Sequence, residues 1–251
     1  MRYFLKLAYN GSEFHGWQMQ DNAASIQQNI SENLSLLLGE TVPIHGCGRT
    51  DAGVHAKQFY AHFDCNDLKL EPQKLVFKLN SMLHKNIAIE NLLLVNDDAH
   101  ARFHAVKRTY EYVLVRNKNP FMENLAYRFS PNLDVDKMNQ ACKMLIGEKD
   151  FGCFCKANAN NHTNICTVSE ARWVEDGDLL KFQISANRFL RNMVRAVVGT
   201  MLEIGMNRIS LNELKTILIS GSRSDAGPSV PAHGLYLTAV EYPPEIFQRN
   251  P

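Results

Sequence analysis

The chain has 251 residues, 45% hydrophobic and 21% charged, with a formal net charge of +1 at pH 7. This is the composition of a folded protein of one large domain or two small ones. No apolar run reaches the length of a membrane span, and six cysteines in a chain this long do not make a disulfide framework. The N-terminal MRYFLKLAYNG lacks the apolar core and cleavage pattern of a signal peptide and reads as a strand. A cytoplasmic protein with reduced, mostly buried thiols is expected. The near-zero net charge neither points to a nucleic-acid partner nor excludes one, because what matters is where the charges sit.

Tyr3, Leu5, Leu7 and Tyr9 alternate with more polar neighbours and predict a first strand. SIQQNISENLSLLLG predicts a helix. Ser25 and Gln28 form a capping box, Ile26, Ile30, Leu34 and Leu37 share one face, and Gly39 ends it. A short strand is expected around 41–47. After a GRTDAG loop, Phe59, Ala61 and Phe63 alternate with Tyr60 and His62 as a further strand. Glu71-Pro72 opens a second helix with Leu75, Leu79 and Met82 on one face. IAIENLLLV (87–95) is then a strand. The order is β-α-β-β-α-β, the ferredoxin-like arrangement that RNA-recognition domains share.

The second half repeats it. TYEYVLVRN is a strand, and DVDKMNQACKMLIG is a helix from Asp134 to Gly147. ICTVSEARWV and LLKFQISA are strands joined through Asp176-Gly177, a hairpin signal. RFLRNMVRAVVGTMLEIG reads as one long helix, capped by Asn187 and ended by Gly205. A further helix opens at a capping box, Ser210 with Glu213, and GLYLTAVEY closes as a strand. The expected fold class is α+β, with two ferredoxin-like domains over 1–104 and 105–251. Their junction falls near 96–108, and an insertion lies near 205–233.

Basic charge collects in two places. Between 99 and 128, Arg102, Lys107, Arg108, Arg116, Lys118 and Arg128 stand against Glu111 and Glu123, and a solvated strand-and-loop surface accounts for them. On the predicted helix after Asn187, Arg188, Arg191 and Arg195 fall at spacings of three and four, which puts them on one stripe. No acid intervenes between Asp178 and Glu203. Such a stripe suits RNA phosphates.

The segment GRTDAGVHA (48–56) holds an arginine and an aspartate among small residues. Gly48 and Gly53 let the backbone approach a substrate closely. Arg49 favours an ionised Asp51, fit to act as nucleophile or base. The plain alternative is a turn that Asp51 and Thr50 cap. Other chemistries fit less well. D-A-G occurs twice, at Asp51 and at Asp225, which suggests a shared-proton carboxylate pair. Enzymes of that kind follow the aspartate with a hydroxyl residue and are rich in β-structure. Cys153, Cys155, His162 and Cys166 offer four soft ligands, but their spacing departs from the usual zinc pairing. A non-catalytic RNA-binding module suits the element order, yet no RNP1-like stretch is present, and Asp51 would have no purpose there. His55 and His104 could touch RNA, but an idle polar role is the reading preferred for each.

GCGRTDAGVHA also resembles the signature of the tRNA pseudouridine synthase A family. YNGSEFHGWQ, ARFHAVKRTYEYVL, NRFLRNMVRAVVGTML and AHGLYLTAVEYP resemble further family segments, in the family's order and over nearly the whole chain. The resemblance implies two ferredoxin-like domains facing a shared basic cleft, and isomerisation of uridine to pseudouridine at positions 38–40 of the tRNA anticodon stem-loop. Neither metal nor cofactor is implied. Asp51 matches the family's catalytic aspartate. Tyr110 matches a tyrosine that stacks on the target base. Arg195 matches an arginine that pairs with the aspartate, and Arg49 one that helps hold the flipped nucleotide. Arg188 and Arg191 are carried as RNA backbone contacts. The family's members are homodimers, so a homodimer acting on tRNA is expected, with no membrane partner. The strongest rival is a catalytically inactive tRNA-binding protein of the same fold.

Overall fold

The computed structural model describes residues 1–156 and 161–247. They form two compact units, Met1–Val106 with the described part of 236–251, and Lys107–Leu235. The first unit opens with β1 (Arg2–Tyr9), α1 (Ile26–Leu38), β2 (His45–Gly46), β3 (His55–Asp64), α2 (Pro72–Met82) and β4 (Ile87–Val95). The second holds β5 (Lys107–Val115), β6 (Tyr127–Arg128), α3 (Val135–Leu145), β7 (Gly147–Asp150), β8 (Ile165–Asp176), β9 (Leu179–Ala186), α4 (Met193–Gly205) and α5 (Leu211–Ser220). The last strand, β10 (Leu235–Glu241), belongs from Tyr236 onward to the first unit. The α+β class expected from the sequence is the one observed. Among the described residues no helix is long and apolar enough to cross a membrane.

In the first unit β1 is central. It pairs antiparallel with β3 (Leu5 opposite Ala61) and with β4 (Leu5 opposite Leu92). β10 joins β3 in parallel at Tyr236 and His55. Both faces of β3 are covered, so Phe59, Ala61 and Phe63 are buried together with Tyr60 and His62. The strand expected over 41–47 is reduced to the two residues of β2.

Helix α1 starts and stops where the local chemistry requires. Ser25 Oγ accepts the Gln28 N–H at 3.2 Å, and Gly39 takes the left-handed conformation at φ +71°. Only the Ser25 half of the capping box is formed, and the Gln28 side-chain amide donates to Glu32 on the next turn. Ile26, Ile30, Leu34 and Leu38 are buried. Leu38 takes the place expected for Leu37.

In the second unit β9 lies between β5 and β8, antiparallel to both, and β7 pairs with β8. The β8–β9 hairpin turns at Gly177, φ +60°. Asp134 caps α3 by accepting the Lys137 N–H. Gly147, φ +99°, opens β7, a strand the sequence did not suggest. The capping box of α5 is complete, with Ser210 and Glu213 each accepting the other's backbone N–H.

One element differs in extent. The long helix begins at Met193 and not after Asn187. Asn187 serves the sheet, its Oδ1 accepting the Thr167 N–H at 2.9 Å. Leu190 is buried, and Asn192 stands in the left-handed conformation at φ +67° before the first helical residue. A residue at that φ cannot continue a right-handed helix. Arg188 and Arg191 therefore lie outside the helix, and the three-arginine stripe does not form.

Candidate active site

The loop that carries Asp51 is held by the segment just after β1. The hydroxyls of Tyr9 and Thr50 share a buried hydrogen bond of 2.9 Å. The Thr50 carbonyl accepts the Trp17 N–H at 3.2 Å, and the Gly53 N–H donates to the Phe14 carbonyl at 3.3 Å. The Val54 N–H closes the turn on the Asp51 carbonyl. His55, fully buried, accepts the Gly11 N–H on Nδ1 at 3.0 Å and stacks on Tyr236. It is a strut of the loop.

This closeness needs glycine at particular places. A Cβ on Gly11 would lie 2.0 Å from the Val54 carbonyl oxygen, and one on Gly16 would lie 2.3 Å from that of Thr50. Gly53 takes φ +78°. Gly48, by contrast, faces open space within 4 Å, so close packing is not the reason for glycine there. The sequence reading credited Gly48 and Gly53. It missed Gly11, Gly16, Tyr9, Phe14 and Trp17, whose signal was the pair of glycines in YNGSEFHGWQ.

Asp51 is half-buried, and Arg49 is exposed. Beneath the loop Trp17 stacks on Phe59 at 4.2 Å, a rigid base. Beside it a cavity of about 190 Å³ is lined in part by Trp17, His45, Arg49, His100, Arg102 and Phe103. His104 accepts the His100 N–H on Nδ1. His62, packed against His45 and His100, is pushed down to about 3, by burial first and then by His100, Arg2 and His45.

The second unit carries the other candidates. Tyr110 sits on β5 opposite Ile184 of β9, half-buried, with its ring edge-on to Phe189 at 5.0 Å. Arg195 lies in the first turn of α4. Its Nε donates to the Val230 carbonyl at 2.8 Å, and its own carbonyl accepts the Val230 N–H. The strap around Val230 is fixed on three sides. Pro228 is packed on Gly199, the Gly227 N–H donates to Thr200 Oγ1, and the Tyr112 hydroxyl donates to the Pro231 carbonyl. The insertion noticed near 205–233 thus places the arginine. Arg188 donates to the Thr163 carbonyl, and the Arg191 carbonyl accepts the Lys156 N–H.

The second D-A-G and the Cys/His set also lie in the second unit. Asp225 is an exposed turn residue whose carboxylate accepts the Ser220 and Ser224 hydroxyls. Cys153 and Cys166 are buried thiols, pushed up to about 12 and about 11 by burial, while His162 is exposed. Among the described residues no three His, Cys, Asp or Glu side chains converge as a metal site.

The carboxylate-bearing loop is thus braced by backbone contacts, on an α+β fold. A family model described as tRNA pseudouridine synthase matches residues 141–243. The tRNA pseudouridine synthase A of Parabacteroides distasonis is 46% identical over 246 residues, covering 98% of both chains. That of Porphyromonas gingivalis is 44% identical over 250 residues, covering 98% of this chain and 99% of the relative. That of Bacillus subtilis is 37% identical over 246 residues, covering 96% and 99%. The chain belongs to the tRNA pseudouridine synthase A family.

Proposed function

We propose that this chain isomerises uridine to pseudouridine in tRNA, at positions 38–40 of the anticodon stem-loop, with Asp51 as the catalytic carboxylate. The observation that carries the reading is the bracing of the Asp51 loop by the 9–17 segment. Two backbone approaches that only glycine permits, Gly11 on Val54 and Gly16 on Thr50, fix the position of the loop that carries Asp51.

The reaction breaks the bond from N1 to C1′ and makes one from C5 to C1′. The proton on C5 leaves and N1 gains one, so no electrons are exchanged overall. Asp51 has the chemistry for the nucleophilic or proton-transfer part of this sequence. The target base must leave its stack, at a cost of a few kcal/mol. Aromatic and guanidinium surfaces offset that cost. Tyr110 supplies an aromatic face, and Arg49 and Arg195 supply cations; we assign all three to substrate binding. Arg188 and Arg191 reach RNA phosphate from the loop before α4. A homodimer and a cytoplasmic location complete the proposal. The buried free thiols suit a reducing compartment.

The test uses three anticodon-arm hairpins, each with uridine at one of positions 38, 39 and 40 and cytidine at the others. Nucleoside chromatography after incubation should show pseudouridine from at least one of the three. Conversion only of uridines elsewhere in full-length tRNA would refute the assigned positions.

A further inference from the structure

The cavity beside the Asp51 loop is not lined by Asp51 itself. Its contents differ from those of a core defect. Trp17 is buried in its wall, but Phe103 is 72% exposed. A phenylalanine so exposed gains little from burial. It is instead held in place, with the Arg102 guanidinium 5.6 Å from its ring centroid and the His100 ring at 4.3 Å. Two cations, Arg49 and Arg102, line the same space, and no carboxylate does.

His100 is set as a hydrogen-bond donor. Its Nδ1 accepts the Arg102 N–H at 3.1 Å, which leaves the proton of the neutral ring on Nε2. Burial first, and then the charges of His45 and Arg2, hold it below the usual histidine range, so the ring is neutral near pH 7. About 190 Å³ is small beside pockets for drug-sized ligands, which run to about 300–1,000 Å³. It suits a single planar heterocycle. An aromatic face, a neutral donor and two guanidinium groups together are the recognition set for a base with its phosphate.

We propose that this cavity is a second nucleotide subsite, which takes an RNA base neighbouring the target uridine, stacks it on Phe103 and holds its phosphate with Arg49 and Arg102. The assignment rests on the reading that tRNA is the substrate. Arg49 is two residues from Asp51, so their Cα atoms are at most about 7 Å apart. We assign the occupant to an immediate neighbour of the nucleotide presented to Asp51, which the abasic hairpins below test.

The test measures equilibrium binding of anticodon-arm hairpins in an Asp51→Ala background, where turnover does not interfere. Phe103→Ala should weaken binding about tenfold, and Phe103→Trp should keep it within about twofold of the parent. Phe77→Ala removes an equally exposed ring outside the cavity and should change nothing. Hairpins with single abasic positions then locate the occupant. One abasic site next to the target should cost affinity with Phe103 present and cost no more in Phe103→Ala. Unchanged binding by Phe103→Ala overturns the subsite, as does a loss from every abasic hairpin that is equal with and without Phe103. If the hairpin binds in the expected pattern but no pseudouridine forms with Asp51 restored, the subsite stands and the isomerase reading fails. If pseudouridine forms and Phe103→Ala binds like its parent, the isomerase reading stands and the subsite fails. No binding by the parent overturns both.

Discussion

Gly16→Ala tests whether Asp51 depends on the segment before it. Gly16 lies outside GRTDAGVHA, yet its backbone touches that loop. At φ +94° a side chain costs about 1–2 kcal/mol in backbone strain alone. The added Cβ would also lie 2.3 Å from the Thr50 carbonyl oxygen and 3.1 Å from the Asp51 carbonyl carbon, where about 3.0 Å is the floor for real contacts. The Thr50 carbonyl must retreat by about 0.7 Å, the difference between 3.0 and 2.3 Å. That carbonyl is held by the Trp17 N–H, and its residue by Tyr9, so the retreat is resisted, and overpacking of this kind costs about 1–3 kcal/mol. The sum, about 2–5 kcal/mol, should lower Tm by about 5–15 °C for a chain of this length. Asp51 moves with the loop, and a misplacement near 1 Å costs on the order of 10²-fold in rate. Thermal unfolding and tritium release from tRNA carrying [5-³H]uridine read the two effects. Gly48→Ala, inside the motif, meets no atom within 4 Å and should stay within about 0.5 kcal/mol of the parent in stability. A Gly16→Ala variant with parental Tm and activity would refute the reasoning.

Other expectations follow from the same contacts. His62 is held at about 3 in the folded chain, against about 6.5 when unfolded. Between those values the unfolded chain binds the extra proton, so this contribution to stability is lost as pH falls from about 6.5 towards 3. In urea titrations at pH 7 and pH 4.5, His62→Gln should shrink the stability difference by about 2 kcal/mol; an unchanged difference would show that His62 is not the group. Gly199→Ala puts a Cβ 1.6 Å from the Pro228 carbonyl oxygen inside a buried helix. It should cost more than about 3 kcal/mol in thermal unfolding, and a parental Tm would mean that the strap is not fixed on α4. Arg195→Lys removes the Nε bond to Val230, worth about 1 kcal/mol of stability. It should lower kcat/KM at least tenfold with only a small change in Tm; equal activity would remove Arg195 from the substrate-binding set.

What the sequence disclosed depended on the range over which each feature is determined. The caps of α1, α3 and α5 lie within three residues of the groups they serve, and Ser25, Asp134 and Ser210 were all readable. The half-formed box at Gln28 was not, and its side-chain N–H goes to Glu32 on the next turn. The start of α4 was misplaced for a longer-range reason. Arginines at helical spacing imitate a stripe, while Asn187 is engaged by Thr167, twenty positions earlier. Asp51 stood out by its neighbours. Its supports did not, since Tyr9 reaches Thr50 across 41 positions. Nor could spacing reveal that Gly16 is constrained by contact while Gly48 is not.

The central claim is that Asp51 performs the isomerisation. The most direct measurement is tritium release from [5-³H]uridine tRNA by the purified protein beside Asp51→Ala, with hairpin binding measured on both. Release by the parent alone, with both proteins binding RNA, is the predicted result. Equal release by the two would remove Asp51 from the chemistry, and intact binding without release by the parent would identify an inactive tRNA-binding protein.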